Sequence, residues 1–333
     1  MLSREQPLVL ASILSHEGST PRSAGTRMML GADGAFVGTI GGGRIEAVVM
    51  QTSRRMLGKP GAVIQSFDLT SEIADAMDMI CGGKLEILVE SIAPDKTNRL
   101  FFSSLLQMLD QHKKGNIITE IMGSDSAFLQ VRRAVLLQDG GLIGDLDIRT
   151  KIGPIPEKLR TLLLTASGDR QFFIEPAMAA ETVYLFGAGH VSLQTAIFAK
   201  MVGFDVVVLD DRAEFANTRR FPEADEVRVL SSFDRPLDGL SIHADSYIVI
   251  LTRGHLHDKT VLKQALRTPA AYIGMIGSRK KRDAIYRVLE NEGFSETDFE
   301  KVHCPIGLSI GAQTPEEIAV SIVSELIYVR SLS

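Results

Sequence analysis

Two short segments concentrate the chemistry this chain could perform. The first is "MICGGKLEILVE", Met79 to Glu90, in which Cys81 stands directly before Gly82 and Gly83. A thiolate is a soft metal ligand and a nucleophile. Two glycines beside it let a ligand approach the main chain, or let the loop take a positive φ. The plain alternative is a small buried residue at the head of an apolar strand. The second segment is "GAGHVS", Gly187 to Ser192. Gly187 permits a tight turn, and Gly189, followed by His190, lets a phosphate reach a helix N-terminus. Asp210 stands 23 positions after Gly187, about where an acid would bond a ribose hydroxyl. A scaffold that keeps this turn without holding a nucleotide carries the same pattern.

Further polar clusters sit on turns. "GTIGGGRIEA" places Gly41, Gly42 and Gly43 between a strand and a helix start, with Arg44 adjacent. Bare N–H groups there can cradle an anion; a flexible turn is the alternative. "GSTPRSAGTR" offers Ser19, Thr20, Arg22 and Arg27 for a phosphate or a polar heterocycle. "TRGHLHD" holds His255, His257 and Asp258, a weak metal signature for want of a third strong ligand, and better suited to a polar rim or acid/base work. In "IGSRKKR", Gly277, Ser278 and Arg279 suit an anion at a helix start, whereas Lys280, Lys281 and Arg282 are expected to be solvated. Cys304, before a proline in "HCPIG", is expected to be structural.

These turns need elements to hold them. From about residue 181 onward, apolar runs ("TVYLF", "DVVVLD", "EVRVL", "SYIVILT", "AAYIGMIG") alternate with patterns of helical spacing ("LQTAIFAKMVGF", "KTVLKQALR", "KKRDAIYRVLENEG"). That rhythm predicts a Rossmann-like parallel sheet covered on both faces. Its last helix has Thr314 as N-cap, Pro315 at the first position and Glu317 completing a capping box. Before residue 175 strands and helices mix without that rhythm. Strands are expected at "LVLASILS", "TRMML" and "AFVGTIGG" (the last two joined by the hairpin "GADG"), and at "AVIQSFDL", "KLEILVE", "NIITEIM", "AVLLQD" and "QFFIEP". Helices are expected at "RIEAVVMQTSRRML", "RLFFSSLLQMLDQHKK" and "PEKLRTLLLTA". The fold class is therefore α/β: an N-terminal mixed α+β domain over 1–178, then a Rossmann-like parallel-sheet domain over 179–333.

Composition bounds the rest. The 333 residues are 45% hydrophobic and 23% charged, enough for two ordinary cores. A formal net charge of −5 with interspersed signs argues against a general nucleic-acid surface. Two distant cysteines point to a reducing compartment. The N-terminal apolar run is too short for a secretory signal, and no stretch approaches the ~18–20 apolar residues of a membrane span. A cytoplasmic protein is expected.

Taken in order, "GSTPRSAGTRMM", "GTIGGGRIE", "CGGKLEI", "GAGHV", "DDRAEFANTRRFPEAD", "TRGHLHD", "YIGMIGSRKKR" and "PIGLSIGAQTPEEIAVSI" resemble the XdhC/CoxI family, accessory proteins of xanthine dehydrogenase and related molybdenum hydroxylases. The resemblance spans nearly the whole chain except about residues 95 to 175. The family often has Thr-His where this chain has Thr252-Arg253-Gly254-His255, and no role transfers to Cys304. The resemblance implies binding of molybdenum cofactor (molybdopterin), help with its sulfuration, and delivery to an apo-enzyme. It also implies a homodimer and contact with a cysteine desulfurase. The glycine turns and Arg22, Arg44 or Arg279 could hold the cofactor's phosphate, and Cys81 could face molybdenum as ligand or guard. Residues of both halves suit the ligand, so a cleft between them is the expected place. Two other functions remain open: an NAD(P)-dependent oxidoreductase using the turn, Asp210 and His190 or His255, and a nucleotide-sensing regulatory protein.

Overall fold

The computed structural model describes residues 5–69, 83–123, 129–144, 146, 152, 155, 159, 161–165 and 169–332, of which 162–165 are described by backbone alone. The chain divides into two compact units, Met1–Ala179 and Ala180–Ser333.

The first unit is built on two antiparallel sheets. In one, β1 (Leu8–Glu17) is central, flanked by β2 (Arg27–Leu30) and β3 (Phe36–Gly38) on one side and by β5 (Lys84–Ile92) and β4 (Gly61–Asp68) on the other. Alternate residues Val9, Ala11 and Ile13 of β1 and Leu85, Ile87 and Val89 of β5 share one face. Helix α1 (Gly43–Met56) covers that face with Ile45 and Val49. The second sheet runs β8 (Leu142–Gly144), β7 (Gln130–Leu137), β6 (Gly115–Met122), β10 (Arg170–Ala177) and β9 (Leu162–Thr165). A bridge between Ala62 and Leu129, with paired hydrogen bonds of 3.1 and 3.0 Å, joins the two sheets. Helix α2 (Lys96–Asp110) begins at Asp95, whose side chain accepts from the Asn98 amide. It packs Phe101 and Met108 against Ile117 and Val135.

The second unit has the predicted parallel sheet. Its order is β13 (Glu226–Val229), β12 (Asp205–Asp210), β11 (Thr182–Phe186), β14 (Ser246–Ile250), β15 (Tyr272–Met275) and β16 (Val302–His303), every pair parallel. This is the 3-2-1-4-5-6 order of a dinucleotide-binding fold, whose direction reverses between β11 and β14. Odd and even strand positions face different cores. Val183, Leu185 and Val249 meet α3 (His190–Met201) and α7 (Pro315–Leu332). Tyr184, Phe186 and Ile250 meet α4 (His255–Ala265) and α5 (Arg279–Asn291). Burial on both faces is why these strands lack polar alternation. The α7 capping box forms as predicted: Thr314 Oγ1 accepts from the Glu317 amide at 3.3 Å, and Glu317 accepts from the Thr314 amide at 3.2 Å.

One expected element differs. The pattern of "PEKLRTLLLTA" predicts a helix, but Leu162–Thr165 is strand β9, paired antiparallel with Phe172 and its neighbours on β10. A four-residue apolar run does not distinguish helix from strand by periodicity, and the open edge of β10 decides. Two short elements, β16 and the four-residue helix α6 (Glu296–Phe299), are too brief to leave a periodic signal. Among the described residues no helix is long and apolar enough to cross a membrane.

Candidate functional site

In the first unit the fold brings together the glycine motifs that lie within the described residues. Gly83 is buried, and a β-carbon on it would stand 2.7 Å from the Ser19 carbonyl oxygen and against that of Glu17. The space beside Gly83 thus belongs to the "GSTPR" loop, where the sequence suggests a ligand. Gly41 likewise faces Pro21, at 2.6 Å from its Cβ. Arg22 and Arg44 are exposed at this rim. Arg27 is not free to join them. Its guanidinium is paired with Glu175 and also donates to Ser12 at 3.3 Å. Cys81 and Gly82 lie outside the described residues, as does any role of theirs in geometry.

The glycine turn before α1 already holds an anion, its own. Gly41, Gly42 and Gly43 all have positive φ, at 123°, 76° and 66°. The carboxylate of Glu46 turns back to accept from the amides of Ile40 and Gly42, both at 3.0 Å, and from the Thr39 hydroxyl. The Thr39 hydrogen bond, helped by these amides, holds the Glu46 carboxyl below the ordinary carboxylate range. The donors of Ile40 and Gly42 are therefore spent, which corrects the expectation of an empty cradle on them. The space beside Gly42 and Gly43 stays open. Because charge-assisted bonds contribute about 1.5–3 kcal/mol each, Glu46→Ala is expected to destabilise the first unit by about 2 kcal/mol in urea unfolding. Glu46→Gln, which keeps an acceptor, should cost less. The carboxylate's contribution is present above its ordinary pKa and is lost as pH falls through its lowered one.

In the second unit the predicted residues gather at the carboxyl ends of the strands, where open α/β sheets receive ligands. Gly187 turns sharply after β11 with φ 108°, its amide donating to Leu209 O at 2.7 Å. Gly189 is the N-cap of α3, without a side-chain cap and with open space around it, and His190 is exposed on the first turn. After β14, Gly254 caps α4, and His255 is exposed beside it. After β15, Ser278 caps α5 by accepting from the Lys281 amide at 3.3 Å, with Arg279 exposed. Three uncapped or weakly capped helix starts thus point their N–H groups to one edge of the sheet.

Asp210 does not have the role its spacing suggests. It is 1% exposed, and all its lone pairs are used. Oδ1 accepts from the Arg212 amide at 3.0 Å and from Nε at 2.8 Å, while Oδ2 accepts from the Ala188 amide and Arg212 Nη2, both at 2.8 Å. Burial alone would raise its pKa; the Arg212 and backbone hydrogen bonds overcome that and hold it at about 2. Asp210 is a brace between β12 and the glycine turn, not a free ribose acceptor. The adjacent Asp211 escapes sequence reasoning. Its Oδ2 accepts from Arg253 at 2.8 Å, and its Oδ1 is buried with no hydrogen-bond partner among the described residues. The doubled acid of "DDR" is the one signal that could have found it.

The "TRGHLHD" loop is also committed. Asp258 is fully buried, accepting from Thr252 Oγ1 at 2.6 Å and paired with Lys281. Lys281, expected to be solvated, is instead drawn in by that carboxylate and by Ile276 O at 3.2 Å. His257 lies against Phe233, with ring centroids 4.8 Å apart. No group of three or more His, Cys, Asp or Glu that could hold a metal occurs among the described residues. Burial pushes the Cys304 thiol up to about 11, away from thiolate chemistry.

An antiparallel unit followed by a six-stranded Rossmann unit with an open glycine turn defines a two-module, dinucleotide-fold protein. Residues 1–68 match the model of the XdhC and CoxI family, and residues 183–326 match that of the XdhC Rossmann domain. The chain belongs to the XdhC and CoxI family. It is 28% identical over 334 residues to a Bacillus subtilis protein named as a probable xanthine dehydrogenase subunit, covering 99% of this chain and 95% of that one. It is 25% identical over 325 residues to the "uncharacterized protein YqeB" of Escherichia coli, covering 98% of this chain but only 44% of that protein's length. The crystal structure of a protein from Bacillus halodurans, described as a xanthine dehydrogenase, superposes with a TM-score of 0.79 at 27% identity, covering 100% of this chain and 94% of that one.

Proposed function

We propose that this chain is an accessory protein of a xanthine dehydrogenase-type molybdenum hydroxylase. It binds molybdenum cofactor, supports its sulfuration and delivers it to the apo-enzyme, working in the cytoplasm as a homodimer in contact with a cysteine desulfurase. The observation that carries this reading is the ordered match of both family models in one chain, beside relatives named for xanthine dehydrogenase.

The second unit fits the cofactor's anionic end. The open Gly189 turn and the helix starts at His190, His255 and Arg279 suit a phosphate. In the first unit Arg22 and Arg44 supply cations at the glycine rim. Cys81 would approach molybdenum, whose sulfur chemistry the cofactor itself supplies. The rival reading as an NAD-dependent oxidoreductase leans on Asp210, whose acceptors are already occupied.

The test is to purify the protein from cells making the cofactor, oxidise it and look for pterin fluorescence. Pterin supports the carrier; bound nicotinamide, or neither, overturns it. Cys81→Ala is expected to lower bound molybdenum several-fold, by metal analysis per chain, with folding unchanged.

A further inference from the structure

The two faces of the first sheet are covered unequally. Val9, Ala11, Met28 and Leu30 lie under α1. On the opposite face the register sets Leu8 beside Ile92, Leu10 beside Met29, and Met29 beside Val37. Farther along that face Leu88 packs on Ile121 and Phe173 of the second sheet. That cover does not reach the end of the row Leu10, Met29 and Val37, where the Val37 side chain is 56% exposed.

Helix α2 walls this bare end without closing it. One stripe of α2, with Phe101 and Met108, is spent on the second sheet. Another, with Leu100, Ser103 and Leu106, lines a groove of about 660 Å³ whose floor is Leu10, Met29 and Ile92. Leu100 and Leu106 are 62% and 61% exposed. A surface helix needs one apolar stripe, and a second one left bare beside a bare sheet face marks an interaction surface.

Two features select what covers it. The first is the lining, apolar except for Lys96, Arg99 and Ser103. Permanent interfaces are more apolar than transient ones. A delivery protein must part from its enzyme and from its sulfur donor, so this surface suits the one partner it keeps. The second is the rim, which carries both signs. Exposed Asp95 and Lys96 open α2, and Glu5 pairs with Arg99 at 2.9 Å. A two-fold interface sets a patch against its own image, and a rim of both signs can complement itself. An anionic membrane or a nucleic acid would select a rim of one sign.

We propose that a second copy of this chain covers the groove, the leucines of α2 and the Leu10, Met29 and Val37 row meeting their counterparts across a two-fold axis. This rests on the homodimer of the reading above and adds where the protomers meet.

Sedimentation of the full chain tests it. Leu100→Glu/Leu106→Glu and Val37→Glu change exposed side chains on α2 and on the sheet. Each should weaken dimerisation at least about a hundredfold, because a two-fold axis doubles every charge brought in, while the circular dichroism stays that of wild type. Tyr328→Glu, at an exposed apolar position on α7, is the control and should change the dissociation constant less than about twofold. A wild-type dimer that both groove variants leave intact overturns this surface and keeps the homodimer. Equal weakening in all three variants overturns the surface as well. A wild type that is monomeric at micromolar concentration overturns both, and saturable binding of N-phenyl-1-naphthylamine by that monomer then assigns the groove to a small apolar ligand.

Discussion

Replacing Gly187 with alanine is expected to remove about 3–4 kcal/mol from the stability of the Rossmann unit. Alanine for glycine ordinarily stabilises a chain by about 0.4–1 kcal/mol, through the unfolded state. Here the sign reverses for two reasons. The backbone sits at φ 108°, which costs an L-residue about 1–2 kcal/mol. The new methyl would also drive into the Leu251 carbonyl, with Thr252 Cα only 3.0 Å away, and rigid main chain at the end of β14 cannot yield. Gly189→Ala is the internal control: its φ is −74° and nothing lies within 4 Å of the added carbon. It should leave urea unfolding nearly unchanged while reducing anion binding at the turn. If the two variants unfold at the same urea concentration, the close approach of β14 to the turn is wrong.

Removing the Asp210 carboxylate is expected to cost about 3 kcal/mol, as for one partner of a buried ion pair. Asp210→Ala strands the Ala188 amide in a buried position and frees a guanidinium held now on two edges. Phe215, whose ring centroid lies 3.9 Å from the Arg212 guanidinium carbon, limits where Arg212 can go. The pH dependence has a definite sign. The folded-state pKa of about 2 lies below the ordinary 3.8, so the carboxylate's contribution is complete above about pH 4 and is lost as pH falls toward 2. Acid titration of wild type against Asp210→Asn, followed by circular dichroism, checks this. The wild type should lose stability relative to the variant across that window, and parallel acid profiles would refute the brace.

The two units differ in how openly their sequences declare them. The parallel sheet is legible because strands such as Val206–Leu209 are buried on both faces and must be uniformly apolar, while the helices between them keep their period. The antiparallel unit hides β9, because Leu162–Thr165 is compatible with either element until β10 offers an edge. At the sites, spacing locates the right turns but not the traffic within them. Asp210 stands where a ribose acid belongs, yet Arg212, two residues on, folds back and consumes it. Glu46 is visible as an acid in the first helical turn, but its return to the Ile40 and Gly42 amides depends on three successive positive φ angles. Lys281 looks like one of a solvated triplet; Asp258, 23 positions earlier and fully buried, recruits it.

The carboxylate of Glu46 has one more implication. A receptor that surrenders its guest must survive the vacancy, and a loop of naked amides left without a counter-charge would tend to collapse or seize the wrong anion. Here the protein carries a built-in understudy: the turn around Ile40 and Gly42 keeps its shape through its own side chain, whether or not anything else arrives. If the chain loads and releases a cofactor as proposed, this rim does not have to refold at either step.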